Sequence, residues 1–325
     1  MKRFSINLQA RKIFQSVLCL TITLCLLASC SPKFTGWSKF TEFTFVQMTD
    51  PQIGFRDNTP GFEKSDSLFS KAVEAVNTLH PKCVFITGDL INDAYDKYQD
   101  SIYRANRSKI NADVYEIPGN HDIRPWNPEN HAHYLELRGY DRFSFRLNGC
   151  AFIGFDSNCI KDGWEKFEDS VVSVQNQQAT GSQILPFFKD MDLWQDAMDA
   201  EDNQLKWLER ELRKARSCRY IFVFLHCPVI REDIAEKDDY FNFHKKRRIK
   251  YIELFKKYGV DVVFAGHTHM DYDTTVDGIR FVTAGPVGSP LGRGYSGYEV
   301  VTVTEDGVDC KYVATPGVSQ KLPEK

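Results

Sequence analysis

Residues 83–89 have the sequence CVFITGD, a short apolar run that ends in a glycine and an aspartate. β-Branched and aromatic residues fill the run, which predicts a buried strand. The glycine allows other backbone segments to approach closely at the point where Asp89 follows. The stretch therefore predicts a strand whose carboxyl end carries a candidate metal ligand.

The same arrangement, an apolar run followed by a side chain that binds metals, recurs along the chain. The other runs and the residues that follow them are 43–48 with Asp50, 114–117 with Asn120, 221–225 with His226, and 260–264 with His267 and His269. In an open α/β sheet the loops at the carboxyl ends of strands converge on one crevice. We therefore expect these distant side chains to meet at one point.

Amphipathic helices separate these strands. Apolar residues recur at helical spacing in 65–80, 203–215 and 245–258, and each helix leads into an apolar run that ends in a candidate ligand. This order predicts β-α-β repetition. Further runs predict a second sheet: 143–147, 151–155, 279–283, 298–304 and 308–313. Residues 160–200 interrupt the pattern and predict an irregular insertion, as is typical of lids and binding loops.

The first residues are typical of an export signal. Basic residues precede an apolar stretch at 13–28, and Leu27-Ala28-Ser29-Cys30 resembles a bacterial lipobox. Cleavage before Cys30 removes residues 1–29 and leaves an acylated cysteine that anchors the protein in a membrane. The alternative is an ordinary signal peptide with an incidental Cys30. We expect a lipid-anchored protein of the bacterial cell envelope, at the outer membrane, with its domain facing the periplasm or the surface.

Composition supports one soluble globular body. The net charge of -3 gives no general attraction to nucleic acid, and we expect no nucleic acid as a stable partner. The predicted organisation is a tether at 30–40, a domain at 41–316 and a tail at 317–325. Most cysteines of the domain lie in or beside apolar runs, where a lone cysteine usually packs as a small hydrophobe, so we expect them to be free.

The candidate ligands are carboxylates, amides and imidazoles. These oxygen and nitrogen donors suit Mn, Fe, Zn or Mg. A carboxylate can bridge two cations, and Asp89 is the candidate for that role because it follows Gly88. Two cations roughly 3.5 to 4 Å apart can share a hydroxide and bind both the attacking and the departing oxygen of a phosphoryl group. The sequence therefore predicts two divalent or trivalent metal ions as cofactors.

The motifs Asp50-Pro51-Gln52, Gly88-Asp89, Gly119-Asn120-His121-Asp122, His226 and Gly266-His267-Thr268-His269 resemble those of the calcineurin-like metallophosphoesterase superfamily. The resemblance extends over about residues 41–315. It implies Asp50, Asp89 and His269 as ligands of one metal, and Asp89, Asn120, His226 and His267 as ligands of the other. It also implies that His121 protonates the leaving oxygen or stabilises the transition state, and that the partner is a phosphorylated substrate.

Two positions depart from the pattern of that family. Gln52 occupies the place of a histidine; its carbonyl oxygen is a harder, weaker donor, which shifts metal preference away from zinc. Asn92 occupies the place of an aspartate that pairs with the catalytic histidine, so Asn92 or Asp93 is the candidate to orient His121. Arg293, in a glycine-rich loop, is a candidate to bind phosphate oxygens.

A serine/threonine phosphatase branch of the family, named for its calcineurin-like phosphoesterase domain, is resembled by three motifs together: Asp50-Pro51-Gln52, Asp239-Tyr240-Phe241-Asn242 and Leu291-Gly292-Arg293. The predicted fold is a four-layer α-β-β-α sandwich of two mixed sheets flanked by helices, with the metal site at the strand ends. The predicted function is hydrolysis of a phosphomonoester by in-line attack of a metal-bridging hydroxide. Two alternatives remain: a phosphodiesterase or nuclease that uses the same site, and a non-catalytic surface lipoprotein that binds metal.

Overall fold

The computed structural model describes residues 40–124, 126–159 and 184–320, with side chains described from residue 195 onward in the last range. The strands in these ranges are β1 Phe43–Met48, β2 Cys83–Thr87, β3 Asp113–Ile117, β4 Phe143–Leu147, β5 Cys150–Gly154, β6 Ile221–Phe224, β7 Val262–Ala265, β8 Tyr272–Val276, β9 Ile279–Thr283, β10 Gly297–Val303 and β11 Val308–Ala314. The helices are α1 Glu63–Thr78, α2 Lys97–Arg107, α3 Pro128–Arg138, α4 Ile184–Ala215 and α5 Lys245–Tyr258.

The strands form two mixed sheets. The first has the order β11-β10-β1-β2-β3, and the second has the order β4-β5-β6-β7-β9-β8. Strands β1, β2 and β3 run parallel to one another, as do β5, β6, β7 and β9. The remaining strands pair antiparallel: β4, β8 and β11 lie at sheet edges, and β10 lies between β11 and β1. Two mixed sheets flanked by helices confirm the predicted fold class.

The two sheets face each other across an aromatic core. Phe45 and Phe85 of the first sheet belong to one buried cluster with Phe152, Phe222 and Phe224 of the second. The rings of Phe85 and Phe224 stack at a centroid distance of 4.0 Å. Side chains alternate along a strand, so the neighbours of these residues face the helices on the outer sides. This packing holds the carboxyl ends of both sets of parallel strands at one edge of the sandwich.

The division of strands between sheets differs from the prediction. The runs at 298–304 and 308–313 correspond to β10 and β11, which belong to the first sheet because β10 pairs with β1, with Phe43 opposite Val303. Two of the predicted ligand-bearing strands, β6 and β7, belong to the second sheet. Alternation shows which side chains share a face of a strand, but it does not show which strands pair.

The predicted helices at 65–80 and 245–258 are confirmed as α1 and α5. Helix α4 begins at Ile184, so residues 184–200 are helical rather than irregular. Helices α2 and α3 were not predicted, although both carry sequence signals. Asp96 accepts hydrogen bonds from the first backbone amides of α2, and α3 begins at Pro128 and is followed by Gly139.

Several predictions concern residues outside the described ranges. These are the signal segment at 1–29, the acylated Cys30, the tether apart from residue 40, the insertion at 160–183 and the last five residues of the tail. Among the described residues, no helix is long and apolar enough to cross a membrane. Among the described cysteines, Cys83, Cys150, Cys159 and Cys310 have free thiols, as expected.

Glu299 of β10 is a buried carboxyl group whose side chain we expect to limit stability at high pH. It lies opposite Gln47 of β1, and burial raises its pKa from 4.5 to about 8. The folded protein therefore retains the proton between these pH values while the unfolded chain loses it, so the free energy of unfolding falls as pH rises from 4.5 to 8. We predict that Glu299→Gln leaves stability nearly unchanged at pH 4.5 and raises it by on the order of 4 kcal/mol at pH 9.

Urea denaturation of both proteins at pH 4.5 and pH 9 tests this prediction. Glutamine has nearly the same shape and remains neutral, so any change in packing adds the same term at both pH values. A stability difference that does not depend on pH would contradict the assignment of Glu299 as a neutral buried acid.

Candidate metal centre

The loops that follow β1, β2, β3, β6 and β7 meet at one edge of the sandwich. Glycine permits their close approach: a Cβ atom at Gly88 would lie 2.6 Å from His226 Nδ1, and a Cβ atom at Gly119 would lie 2.1 Å from the backbone nitrogen of Asp89. Side chains at these two positions would collide with the neighbouring loops. The glycines therefore allow ligands from both sheets to share one site.

Five of the predicted ligands adopt positive φ, a conformation that is uncommon for residues other than glycine. They are Asp50 (50°), Gln52 (36°), Asp89 (49°), His267 (70°) and His269 (54°). Such conformations cost of order 1–3 kcal/mol each and persist where the surrounding structure enforces them, which is common at functional sites. The local strain is concentrated on the predicted ligands.

The predicted ligands form two overlapping groups. Potential ligand atoms of Asp50, Asp89 and His269 lie within 4.8 Å of one another, and so do those of Asp89, His226 and His267. All five residues are buried. Asp89 belongs to both groups, which places it where a bridging carboxylate would lie.

Several buried polar atoms at this edge have no hydrogen-bond partner in the described structure. They are Asp50 Oδ1, Gln52 Oε1, Asn120 Oδ1 and His226 Nε2. A buried polar atom without a partner costs free energy, and native structures leave few of them. These four atoms are oxygen and imidazole donors that suit divalent cations. The residues present therefore fit two metal ions.

Backbone carbonyls fix the orientation of the three histidines that are predicted as ligands. His226 Nδ1 donates to the carbonyl of Thr87 at 2.7 Å, and His269 Nδ1 donates to the carbonyl of Ser289 at 2.6 Å. His267 instead donates from Nε2 to the carbonyl of Tyr240, at 3.0 Å. The other ring nitrogen of each histidine then presents a lone pair to the centre, as in most protein metal sites.

Charges within the centre perturb one another. Burial alone would raise the pKa of Asp89, but His226 and the histidines at 121 and 267 outweigh it and lower the pKa of Asp89. Against its own burial, Asp89 raises the pKa of His226 to about 9. A cation and a proton therefore compete for these ligands.

Asn120 is positioned by a residue to which the sequence analysis gave no role. Its amide nitrogen donates to the hydroxyl of Tyr240 at 3.1 Å, which leaves its Oδ1 as the atom available to a metal. The ring of Tyr240 lies 4.9 Å from that of His267. Tyr240 follows no apolar run, so strand-end reasoning could not identify it.

Asp122 connects two of the ligand loops. Its carboxylate accepts hydrogen bonds from the backbone nitrogens of Leu90, at 3.0 Å, and Gly119, at 2.8 Å. Burial and the nearby Asp89 raise its pKa to about 7. Asp122 belongs to the motif Gly119-Asn120-His121-Asp122, but the sequence gives no signal for this positioning role.

His121 lies beside the two ligand groups. Its backbone nitrogen donates to Asp89 Oδ1 at 2.8 Å, and its Nδ1 donates to the backbone carbonyl of Asn92 at 2.9 Å. Asn92 therefore contacts His121 through its main chain and not through its side chain. Asp93 accepts a hydrogen bond from Tyr95 N. The Nε2 of His121 remains available to a substrate.

The structure places Arg293 away from the ligand groups. Its guanidinium lies 5.4 Å from the ring centre of Tyr272, in a cavity of about 390 Å³ whose lining includes Arg231 and Asp271 but none of the predicted ligands. The glycine-rich loop contacts the centre through its backbone: a Cβ atom at Gly294 would lie 2.0 Å from the carbonyl oxygen of His269. Arg293 is therefore not among the predicted site residues that the structure brings together at the ligand groups.

A second cluster of titratable side chains differs from the metal centre in its hydrogen bonding. It comprises His131, Asp141 and Asp156. His131 Nε2 lies 3.0 Å from Asp141 Oδ2, and Asp156 Oδ1 accepts hydrogen bonds from both the backbone and the amide of Asn158. Internal hydrogen bonds explain this cluster without a metal.

Two sheets whose parallel strands bring a shared carboxylate and several imidazoles together at one edge are typical of a dinuclear metallohydrolase. The family model of the calcineurin-like phosphoesterases matches residues 43–271, and the chain belongs to this family. It is therefore a metal-dependent phosphoester hydrolase.

Relatives of known name and structure agree with this assignment. The chain is 29% identical to the serine/threonine-protein phosphatase CPPED1 of Bos taurus over 299 residues, 86% of each chain. It is likewise 29% identical over 300 residues to the protein of that name from Homo sapiens, again 86% of each. A dimetal phosphatase from Danio rerio has a similar fold, with a TM-score of 0.58 and 16% identity over 83% of this chain and 95% of that one.

Proposed function

We propose that the chain is a phosphomonoesterase that removes phosphate from serine or threonine side chains. The observation that carries this proposal is its similarity, over 86% of both chains, to proteins named serine/threonine-protein phosphatases. The arrangement of His121 supports it. A phosphoserine side chain has an alkoxide leaving group that needs a proton, and His121 Nε2 is placed to donate one.

The residues of the centre supply binding and proton transfer. Asp50, Gln52, Asp89, Asn120 and the three histidines at 226, 267 and 269 would hold two cations. Cations bound there would lower the pKa of water and offset negative charge on the phosphoryl group. Water would lose a proton to solvent and attack phosphorus in line with the departing oxygen. That oxygen would take the proton of His121 Nε2, which solvent then replaces. The Nδ1 proton of His121 stays on that nitrogen and is donated to the carbonyl of Asn92.

A panel of phosphate esters tests the proposal. The panel contains a phosphoserine peptide, p-nitrophenyl phosphate and bis-p-nitrophenyl phosphate, each assayed with Mn²⁺, Fe²⁺, Zn²⁺ and Mg²⁺. We expect both monoesters to be hydrolysed and the diester to be hydrolysed at least tenfold more slowly. Faster hydrolysis of the diester would favour a phosphodiesterase, and metal binding without any hydrolysis would favour a non-catalytic protein.

Gln52 supports a proposal about metal identity. Its unpartnered Oε1 is a hard oxygen donor at a position where relatives in the family commonly have an imidazole. We propose that the metal at this position is Mn²⁺ or Mg²⁺ in preference to Zn²⁺. Competition between Mn²⁺ and Zn²⁺ for the wild type and for Gln52→His, followed by elemental analysis, should show relatively more zinc in the variant. An unchanged ratio of zinc to manganese would contradict the proposal that Gln52 influences metal preference.

The lipobox-like segment supports a proposal about location. We propose that Cys30 is acylated and anchors the domain in a bacterial envelope, with the segment before it removed. Mass spectrometry of the N-terminal peptide should show an acylated Cys30, and Cys30→Ala should release the protein from the membrane fraction. An unmodified Cys30 within a mature chain would contradict this proposal.

A further inference from the structure

A small cavity adjoins His121, and none of the predicted metal ligands lines it. Its volume is about 240 Å³, and it is lined by Asn92, Asp93, Ala94, Tyr95, His121 and Arg124. If His121 protonates the leaving oxygen, the part of the substrate beyond that oxygen lies in this cavity. The residues beside His121 then contact the leaving group and not the transferred phosphate.

The part of the lining formed by Asp93 and Tyr95 is held in place by its own contacts. The ring of Tyr95 stacks on that of His133 at a centroid distance of 4.4 Å, and its hydroxyl donates to Asn130 Oδ1 at 2.5 Å. The carboxylate of Asp93 accepts a hydrogen bond from the backbone nitrogen of Tyr95 at 3.1 Å. This part of the lining has a fixed shape before any substrate binds.

Arg124 gives the cavity a positive charge. Its side chain is exposed, and within 40–124, 126–159 and 195–320 no carboxylate forms an ion pair with it. A guanidinium has five donors in a rigid fork that matches a carboxylate or a phosphate. Arg124 therefore lines the space that the leaving group occupies, with donors that no described carboxylate uses.

We infer that Arg124 determines specificity by binding a carboxylate or phosphate group in the leaving part of the substrate; this inference rests on the proposed function. Pockets for small-molecule ligands usually measure about 300–1,000 Å³, so this cavity fits one side chain better than a nucleoside. In a peptide the group is an acidic residue beside the phosphorylated residue. A second phosphorylated residue offers the same chemistry.

The test compares peptides that differ only beside the phosphoserine. One peptide carries aspartate at both flanking positions, one carries asparagine, and one carries a second phosphoserine. The full-length wild type, Arg124→Gln and Arg124→Lys are assayed for kcat/KM. Arg213→Gln is the matched control, because Arg213 is an exposed arginine in the last turn of α4. The carboxyl end of α4 leads into the start of β6, so Arg213 lies at the opposite end of the sheet from the metal centre.

We expect the wild type to prefer the aspartate peptide over the asparagine peptide, and Arg124→Gln to lower that preference about tenfold, as expected for loss of a charge-assisted contact. Arg124→Lys should retain part of the preference, and Arg213→Gln should retain all of it. If the wild type has a higher kcat/KM for the doubly phosphorylated peptide than for the aspartate peptide, and Arg124→Gln loses this difference, phosphate is the better ligand of Arg124.

A preference that is the same in Arg124→Gln and the wild type would overturn the inference. Phenyl phosphate and 4-carboxyphenyl phosphate, assayed with the same variants, keep this outcome separate from failure of the proposed function. If no phosphoserine peptide is hydrolysed, the protein-phosphatase proposal fails. In that case, the inference about Arg124 is supported if Arg124→Gln lowers the preference for 4-carboxyphenyl phosphate over phenyl phosphate. It is overturned if the preference is unchanged.

Discussion

Asp89→Asn is expected to lower kcat/KM for p-nitrophenyl phosphate by about a thousandfold or more at saturating Mn²⁺. Asp89 belongs to both ligand groups, so loss of its charge weakens both cation sites at once. Loss of about 4 kcal/mol of transition-state stabilisation corresponds to such a factor. Asparagine has nearly the same size and retains an oxygen that can accept from His121 N, so the variant should fold.

Asp277→Asn is the control for this variant. Asp277 is exposed and pairs with Lys256 at 2.8 Å. It lies in the turn that precedes β9, and because β9 runs parallel to β7 this turn lies at the opposite end of the sheet from the predicted ligands. We expect its rate to equal that of the wild type within a factor of two. Retention of more than a tenth of the wild-type rate by Asp89→Asn would show that Asp89 does not bridge two catalytic cations.

His121→Asn is expected to lower kcat for a phosphoserine peptide by about 10²-fold or more, the usual contribution of a general acid. For p-nitrophenyl phosphate the loss should be about tenfold or less, because p-nitrophenolate leaves without a proton. The metal content should not change, since His121 contacts Asp89 through its backbone nitrogen, which asparagine keeps. The difference between the two substrates is what identifies proton transfer to the leaving oxygen.

Asn92→Ala supplies the matched comparison for His121. The contact between these residues uses the main-chain carbonyl of Asn92, which alanine retains. We therefore expect a loss of no more than a few-fold for either substrate. Equal losses for both substrates in His121→Asn would contradict the role of His121 as the proton donor.

The strands whose ends carry the candidate ligands could be predicted from the sequence, because an apolar run and the residues that follow it are local features. The run at 43–48 is β1 with the predicted bounds, and the run at 83–86 is β2 with one further residue. Gly88 and Gly119 have no side chain that could hold the loops apart. The sequence alone was therefore enough to predict that the candidate ligands after them lie close together. The assignment of seven residues as ligands remains a prediction, which the unpartnered donor atoms support.

Contacts between elements could not be predicted in the same way. The pairing of β10 with β1 depends on two strands about 250 residues apart, and neither pattern specifies its partner. The contact of His121 with Asn92 uses a backbone carbonyl, which every residue has, so residue identity gives no signal for it. Tyr240 reaches Asn120 from a loop without a strand pattern.

Anomalous diffraction from crystals grown with Mn²⁺ tests the dinuclear centre most directly. We predict two manganese peaks, about 3.5 to 4 Å apart, on either side of the Asp89 carboxylate. One peak should contact Asp50 and His269, and the other should contact Asn120, His226 and His267. A single peak, or a peak at His131, Asp141 and Asp156 with none beside Asp89, would contradict this account.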